Sequence, residues 1–438
     1  MAIDYRKLSD QLEFLKKWKA RGRKGSLVAV TGFGKTTVGT LAIQDLNQLL
    51  PGHTCNVIVP TIALKKQWDQ VLQKWELKNT EAFVINSYLK TKRTTDLLIL
   101  DEIHRYGSRT FAEIFNNTNY QFILGLTATL ERQDGNHSLL SFYAPVLRTI
   151  GLNEALSRQY VSDFSVFNLA VELDSDERKQ YDEISLRFEG LFAIFGNNFH
   201  TAMACLKSRS FREQYSQRIG KSGIEVLQHA IGLVKVIQDR KTLLNESRAK
   251  LRAVKDIFLR LSYRMIIFSE TTEFADRIAD ALGSGCFPYH TASDKKLMNQ
   301  RLQQFKDGAG GKAVSAVKSL DEGIDIPDLE MAVLVGGNST RRQYIQRIGR
   351  SLRVRPNKQA IIINLYVNGT KDEKWLRARQ FANEINVSWV SDVSQIEDQL
   401  AQNKDTLFEE KEPDIQTYES FSPKDNDFEA FRCRGSGV

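Results

Sequence analysis

Ala29-Val30-Thr31-Gly32-Phe33-Gly34-Lys35-Thr36-Thr37 reads as a phosphate-binding loop. An apolar, β-branched run (Leu27, Val28, Val30) leads into it, as in a buried parallel strand. Gly32 and Gly34 allow a tight turn of backbone N–H groups around phosphate oxygens. Lys35 can reach β- and γ-phosphates, and the Thr36 hydroxyl can bind Mg²⁺. Val38–Leu50 has helical character, so the positive end of a helix dipole faces the anion. The pattern G-x-x-x-x-G-K-[ST] begins with glycine, and Ala29 stands in that place here. Taken alone, the stretch could also be a glycine-rich strand-to-helix turn with a solvated lysine.

Working outward, residues 8–19 read as a helix, with Leu8, Gln11, Leu12, Leu15 and Trp18 on one side. Cys55–Pro60 is a short strand, and Thr61 can cap the helix that follows, beside Lys65 and Lys66. That helix start suits a phosphate group or is a plain capped helix. Phe83–Tyr88, Asp96–Leu100 and Phe122–Leu126 are further strands, the last followed by Thr127-Ala128-Thr129. Asp101 and Glu102 stand where the Asp96–Leu100 strand ends. An isolated acidic pair there would serve a helix dipole. After an apolar strand and downstream of a phosphate loop, it suits metal and water chemistry instead.

Strands alternating with helices over about the first 150 residues predict a parallel sheet covered on both faces. From Asp174 to Arg260 the pattern turns helical, with breaks expected at Gly190, Gly196-Asn197-Asn198 and Gly220–Gly223. Phe188, Leu191, Phe192 and Phe195 form an apolar stripe there, expected as core rather than a stacking platform. A second α/β pattern begins at Arg264–Ser269 and continues through Ala313–Val317, Met331–Val335 and Gln359–Leu365. Arginines at 347, 350 and 353 recur on one helical side and need anions. Domains are expected at 1–160, 261–400 and, between them, a helical segment at 161–260. Residues 401–438, with 5 Lys/Arg and 9 Asp/Glu, are expected to be a loosely ordered acidic tail.

Composition sets the outer limits. The chain has 438 residues and is 42% hydrophobic, enough for sizeable cores. No stretch approaches 18 uninterrupted apolar residues, and the start lacks a signal-peptide core, so a cytosolic protein is expected. Cys55, Cys205, Cys286 and Cys433 are isolated, which argues for reduced thiols and against a zinc site. Net charge is +8, and Arg178–Arg260 holds 16 Lys/Arg against 8 Asp/Glu, the whole excess. Starting that window at Asp174 adds three acids and leaves +5. Lys207, Arg209, Arg212, Arg218 and Lys221 lie close together there, opposed only by Glu213. A polyanion partner accounts for this placement, as does a basic solvated helical surface.

The motifs resemble, in order, those of the superfamily 2 helicases and translocases. Gln11 is similar to the adenine-reading glutamine, Ala29–Thr37 to motif I, Val59–Trp68 to motif Ia and Asp101–His104 to motif II. Thr127–Thr129 matches motif III, Ile266–Glu270 motif IV, Val317–Pro327 motif V and Gln346–Arg353 motif VI. Gly125–Gly135 resembles the XPB-like and phage UvsW-like branch, with Arg132-Gln133-Asp134 in place of Arg-Glu-Asp. Size and the central helical segment fit a bacteriophage branch-migration helicase.

The resemblance implies an α/β fold of two tandem RecA-like domains that close on ATP and Mg²⁺, with the helical insertion between them. Gln11, Thr31–Thr37, Gly323 and Asp325 would bind nucleotide, and Thr36 and Asp101 the metal. Glu102 would orient or deprotonate water, and Arg350 and Arg353 would stabilise transition-state charge. Thr127, Thr129 and Gln346 would couple nucleotide to the neighbouring surface. Thr61, Lys65 and Lys66, with Lys207, Arg209, Arg212, Arg218 and Lys221, would contact DNA. Branched DNA is the expected substrate; an RNA helicase and a motor subunit without its own unwinding are the alternatives. No nuclease-like carboxylate cluster stands outside motif II, so intrinsic cleavage is not expected.

Overall fold

In the computed structural model, the apolar run before the phosphate loop is β1 (Lys24–Ala29), buried from its second residue onward. The structure describes residues 5–128, 130, 137–160, 164–290, 295–308, 311–317, 329–336, 360–379 and 387–409. β2 (Cys55–Val59), β3 (Thr80–Val84), β4 (Arg93–Asp101), β5 (Thr118–Thr127) and β6 (Val146–Ile150) join β1 in one parallel sheet. Its order is β3-β2-β4-β5-β1-β6. The inner strands are apolar almost without interruption because helices cover both faces, which leaves no solvent side for polar alternation. The order places the carboxyl ends of β4, β5 and β1 side by side. In register, Asp101 lies opposite Leu126 and Thr127 opposite Val28. Gly125 permits this close approach, since a Cβ there would overlap Ser26 and Ile103.

The second sheet contains β7 (Phe164–Val171), β8 (Met265–Ser269), β9 (Cys286–Tyr289), β10 (Ala313–Val317), β11 (Met331–Leu334), β12 (Ala360–Val367) and β13 (Val387–Val390). It is also parallel, in the order β13-β7-β12-β11-β8-β10-β9. β7 pairs with β12 from Phe164↔Ala360 to Val171↔Val367. The helical stretch read over Asp174–Arg260 runs from Ser175 to Arg260, while residues 164–171 of the segment bounded at 161 are a strand of the second sheet. The stretch leaves the second sheet after β7 and returns to it at β8, so it is an insertion within that sheet's chain path. Buried Asn364 donates to Asn168 Oδ1 at 2.8 Å across β12 and β7, so the two amides meet inside the sheet.

That insertion comprises helices Ser175–Ile194, Phe199–Lys207, Arg209–Ile219, Gly223–Asn245 and Arg248–Arg260. Asp174, Asn198, Ser208, Ser222 and Ser247 cap them, each accepting from a backbone N–H of the first turn. Phe195, Ala202, Cys205, Val226, Ala230 and Leu233 form its own small core, with Phe188, Leu191 and Phe192 packed against it. The aromatic stripe is core, as expected. Gly190 is no break: the first of these helices runs through it. Gly196 and Gly220, both left-handed, do end helices.

Two further readings change. The strand expected over Phe83–Tyr88 ends at Val84, and Ile85–Tyr88 is one helical turn. The tail expected from residue 401 begins as helix, since Val393–Glu409 is helical. Residues 394–438 belong to a separate unit, of which 410–438 lie outside the described residues.

Candidate nucleotide site and nucleic-acid interface

The phosphate loop joins β1 to the helix Lys35–Leu49. Gly32 (φ 91°) and Gly34 (φ 97°) are left-handed, the conformation for which the loop needs glycine. A Cβ on Gly34 would stand 2.6 Å from Gln11 Nε2. That amide donates to the Phe33 carbonyl at 2.9 Å, and Lys7 Nζ donates to the Gly32 carbonyl at 2.9 Å. The first helix, Tyr5–Ala20, thus holds the loop at two successive residues. Phe33 contributes backbone alone, because its ring is fully buried. Lys35 Nζ donates to the Ala29 carbonyl at 3.0 Å. Burial draws its ammonium below the ordinary lysine range, against the pull of Glu102 and Asp101. Thr31, Thr36 and Thr37 are half-buried around the loop.

Asp101 ends β4, and its Oδ2 accepts from Trp68 Nε1 at 2.9 Å. Trp68 also lies against Gly39 of the loop helix, where a Cβ would meet its ring at 2.6 Å. This one side chain ties the carboxylate to the phosphate-loop helix. Sequence reading missed that role, because an inward-facing tryptophan on a helix signals only core. Glu102 takes a left-handed backbone (φ 53°) and opens the turn Ile103–Gly107. Its Oε2 lies 3.3 Å from both the Thr127 hydroxyl and His104 Nδ1, and those two are 2.9 Å apart. His104 closes motif II in the sequence, but its contacts with Thr127 and Glu102 could not be read there.

The carboxyl groups differ sharply. Burial, then the Glu102 charge, pushes Asp101 up to about 6 despite Trp68 and Lys35. Burial also acts to raise Glu102, but hydrogen bonding from His104, the Lys35 charge and Thr127 outweigh it and hold the group at about 2. The donor set fits a nucleoside triphosphate with a divalent cation: left-handed glycines at a helix start, a lysine, hydroxyls and two crowded carboxyls, one buried and one half-buried.

Of the remaining candidates, Thr61 caps the helix Ile62–Lys74 by accepting from Leu64 N at 3.3 Å. Lys65 pairs with Asp69 at 2.8 Å, and Lys66 is exposed. In the insertion, Lys207, Arg218 and Lys221 are exposed. Arg209 pairs with Glu213 at 2.8 Å, while half-buried Arg212 donates to the Cys205 carbonyl at 3.0 Å. Arg209 and Arg212 are thus engaged within the insertion, and Lys221 is close enough to Glu225 to help lower its carboxyl. Thr129, Gly323, Asp325, Gln346, Arg350 and Arg353 lie outside the described residues.

A phosphate loop and paired carboxylates on one parallel sheet, followed by a second parallel sheet, are the architecture of RecA-like ATP-hydrolysing motors. Residues 5–96 and 84–132 match the family described as type III restriction enzyme, res subunit, and 249–355 match the helicase conserved C-terminal domain. The DNA 3'-5' translocase XPB2 of Sulfurisphaera tokodaii is 27% identical over 394 residues, 84% of this chain and 83% of that one. The general transcription and DNA repair factor IIH helicase/translocase subunit XPB of Encephalitozoon cuniculi is 22% identical over 373 residues, 76% of this chain. The match spans 47% of that relative, about half its length. A solved structure of S. cerevisiae Dbp5 bound to RNA and ADP BeF3 has a TM-score of 0.57 at 14% identity, over 90% of this chain and 92% of that one. That likeness is one of fold. The chain belongs to the superfamily 2 helicases, of the XPB type, and is an ATP-hydrolysing enzyme.

Proposed function

We propose that this chain is a DNA translocase that remodels branched DNA, such as forks and Holliday-type junctions, with ATP and Mg²⁺. DNA as the track is supported by the XPB relatives, named as a DNA translocase and a DNA repair helicase/translocase subunit. The observation carrying the branched substrate is the helical insertion. It has its own core and exposed Lys207, Arg218 and Lys221, and it grows out of the second sheet. Such a lobe moves with that sheet and can hold a duplex arm by phosphate contact while the sheets step along a strand.

When bound, the metal supplies neutralising charge for phosphoryl transfer, with Thr36 and Asp101 to hold it. Lys35 binds phosphate. Glu102 orients the attacking water or takes its proton. Gln11 reads the base, Gly323 and Asp325 sense the nucleotide, and Arg350 and Arg353 meet charge developing on the phosphoryl group. Thr127, Thr129 and Gln346 couple that site to the strand held by Thr61, Lys65 and Lys66.

The test is a substrate panel on the isolated chain: ATPase rate and strand displacement with junction DNA, duplex, single strands and RNA. Strongest stimulation and displacement with junctions supports the reading. Equal or stronger stimulation by RNA overturns the DNA assignment. ATPase without any displacement leaves a motor that needs a partner.

A further inference from the structure

The chain leaving the first sheet turns back onto the phosphate loop before it enters the second. β6 ends at Ile150, whose carbonyl accepts from Val30 N at 3.2 Å. The short helix Leu152–Ser157 follows, and then Arg158, Gln159 and Tyr160 lead toward β7. Tyr160 is 3% exposed, and its ring meets that of Phe33 at a centroid distance of 5.6 Å. Phe33 is the residue between the two left-handed glycines, and its carbonyl is the one that holds Gln11.

A second route reaches the same place. Arg158 Nη1 donates to both oxygens of Asp10 at 2.8 Å, and Tyr160 Oη lies 3.5 Å from that nitrogen. Asp10 is largely buried and stands next to Gln11 on the first helix. Arg148, in β6, adds a more distant charge 4.0 Å from Asp10. The loop therefore touches the connector ring to ring through Phe33. It touches it again through the helix that carries Gln11.

Phosphate enters at the backbone of Gly32 and Gly34, so any adjustment of the loop displaces the Phe33 ring between them. That ring is fully buried, and a packed interior passes a displacement on instead of absorbing it. The next ring is Tyr160, and β7 of the second sheet follows closely in the chain. We propose that Tyr160 and Arg158 are positioning residues that convey the state of the phosphate loop to the segment joining the two sheets. Nucleotide binding then sets how the second sheet is held against the first. The inference rests on nucleotide binding and not on the choice of DNA substrate.

The test uses the full chain without DNA, so its outcome is separate from that of the substrate panel. Dyes are placed on Lys66→Cys and Asp280→Cys, both at exposed positions, with Cys433→Ser to leave only the buried thiols. Energy transfer between the dyes and affinity for a non-hydrolysable ATP analogue with Mg²⁺ are measured together. In the parent, saturating analogue changes the transfer. Tyr160→Leu and Arg158→Ala should bind the analogue within about threefold of the parent yet lose about half or more of that change. Tyr160→Phe, which keeps the ring, should retain it. Asp10→Arg should lose the change, and Asp10→Arg combined with Arg158→Asp should regain it once the flanking charges are removed by Arg148→Gln and Glu154→Gln, since Glu154 lies 3.2 Å from Arg158.

A role confined to packing would move binding and transfer together, and the swapped pair would not rescue. Either result overturns the proposal, as does a parent whose transfer is unmoved by the analogue or variants that keep the full change. Should Tyr160→Leu not fold, Arg158→Ala and the charge swap decide alone, since the Arg158 side chain is 45% exposed and its loss leaves no cavity.

Discussion

The Thr127 hydroxyl, on the last residue of β5, donates to Glu102 Oε2 at 3.3 Å. With its proton given to the carboxylate, the same oxygen accepts from His104 Nδ1 at 2.9 Å. One small side chain thereby holds both Glu102 and His104 from the neighbouring strand. Thr127→Val keeps the shape and removes the hydroxyl. ATP turnover should fall about tenfold while ATP affinity holds, because the loss is in orientation. Glu102→Gln should lower turnover on the order of 10²-fold or more, again with binding kept. Steady-state ATPase and equilibrium nucleotide binding check both; near-parental turnover in Glu102→Gln would remove Glu102 from the mechanism.

Asp101 gives a pH-dependent prediction. A carboxyl raised to about 6 binds its proton more tightly folded than unfolded. It favours the fold at low pH and disfavours it increasingly as pH climbs from about 4 to 6. Glu102 has the opposite sign: its contribution is present above its unfolded value and lost as pH falls toward 2. Asp101→Asn removes the first slope. Measured in EDTA without nucleotide, the stability of the variant relative to the parent should improve by about 1 kcal/mol between about pH 5 and 7.5. Parallel stability curves across that range would contradict the burial of this carboxyl.

Much of this was readable from residues, for identifiable reasons. β1, β2, β4 and β5 are buried on both faces, so their apolar runs stand out in the sequence. β6 is half-exposed along most of its length, and Arg148 and Thr149 break its pattern. β7 carries Ser165 and Asn168 among its apolar residues, and Asn168 accepts from Asn364, far along the chain. No local periodicity announces such a strand, which is why residues 164–171 read as part of the segment between the sheets. Lys35, Asp101 and Glu102 could be named from their motifs. Their meeting point depends on the order β4-β5-β1, which places distant strand ends together. Trp68 and Tyr160 are core residues, and only their partners show what else they hold.

Lys250 and Asp372 form an ion pair of 2.6 Å in which both side chains are almost completely buried. Lys250 Nζ also donates to the Val335 carbonyl at 2.7 Å, and Asp372 Oδ2 accepts from Val367 N at 3.0 Å. The pair pins the last insertion helix to the ends of β11 and β12. Lys250→Met alone leaves a buried carboxylate without its cation and should cost about 3–5 kcal/mol. Lys250→Met with Asp372→Leu removes both charges and should recover most of that loss. Chemical denaturation of the parent and the two variants checks this; a double variant as unstable as the single one would show that the pair does more than cancel its own burial cost.

The basic surface of the insertion yields the remaining prediction, and the structure decides which residues to change. Arg212 holds the Cys205 carbonyl near the end of the helix Phe199–Lys207, so its removal would disturb that helix. Arg209 shares its charge with Glu213. Lys207, Arg218 and Lys221 are exposed, and their charge can neutralise phosphate at little structural cost. Replacing these three by alanine should weaken junction binding and reduce the slope of log affinity against log salt by up to about three. Because phosphate contacts carry no base information, binding should weaken by a similar factor on junctions of different sequence. ATP affinity should stay the same, since none of the three approaches the phosphate loop. Arg212→Ala serves as the contrast: it should lower thermal stability more than it alters the salt slope. The measurement is junction affinity from low to moderate salt for parent, triple variant and Arg212→Ala. If parent and triple variant give coincident lines, the insertion is a solvated bundle and the grip on DNA lies elsewhere.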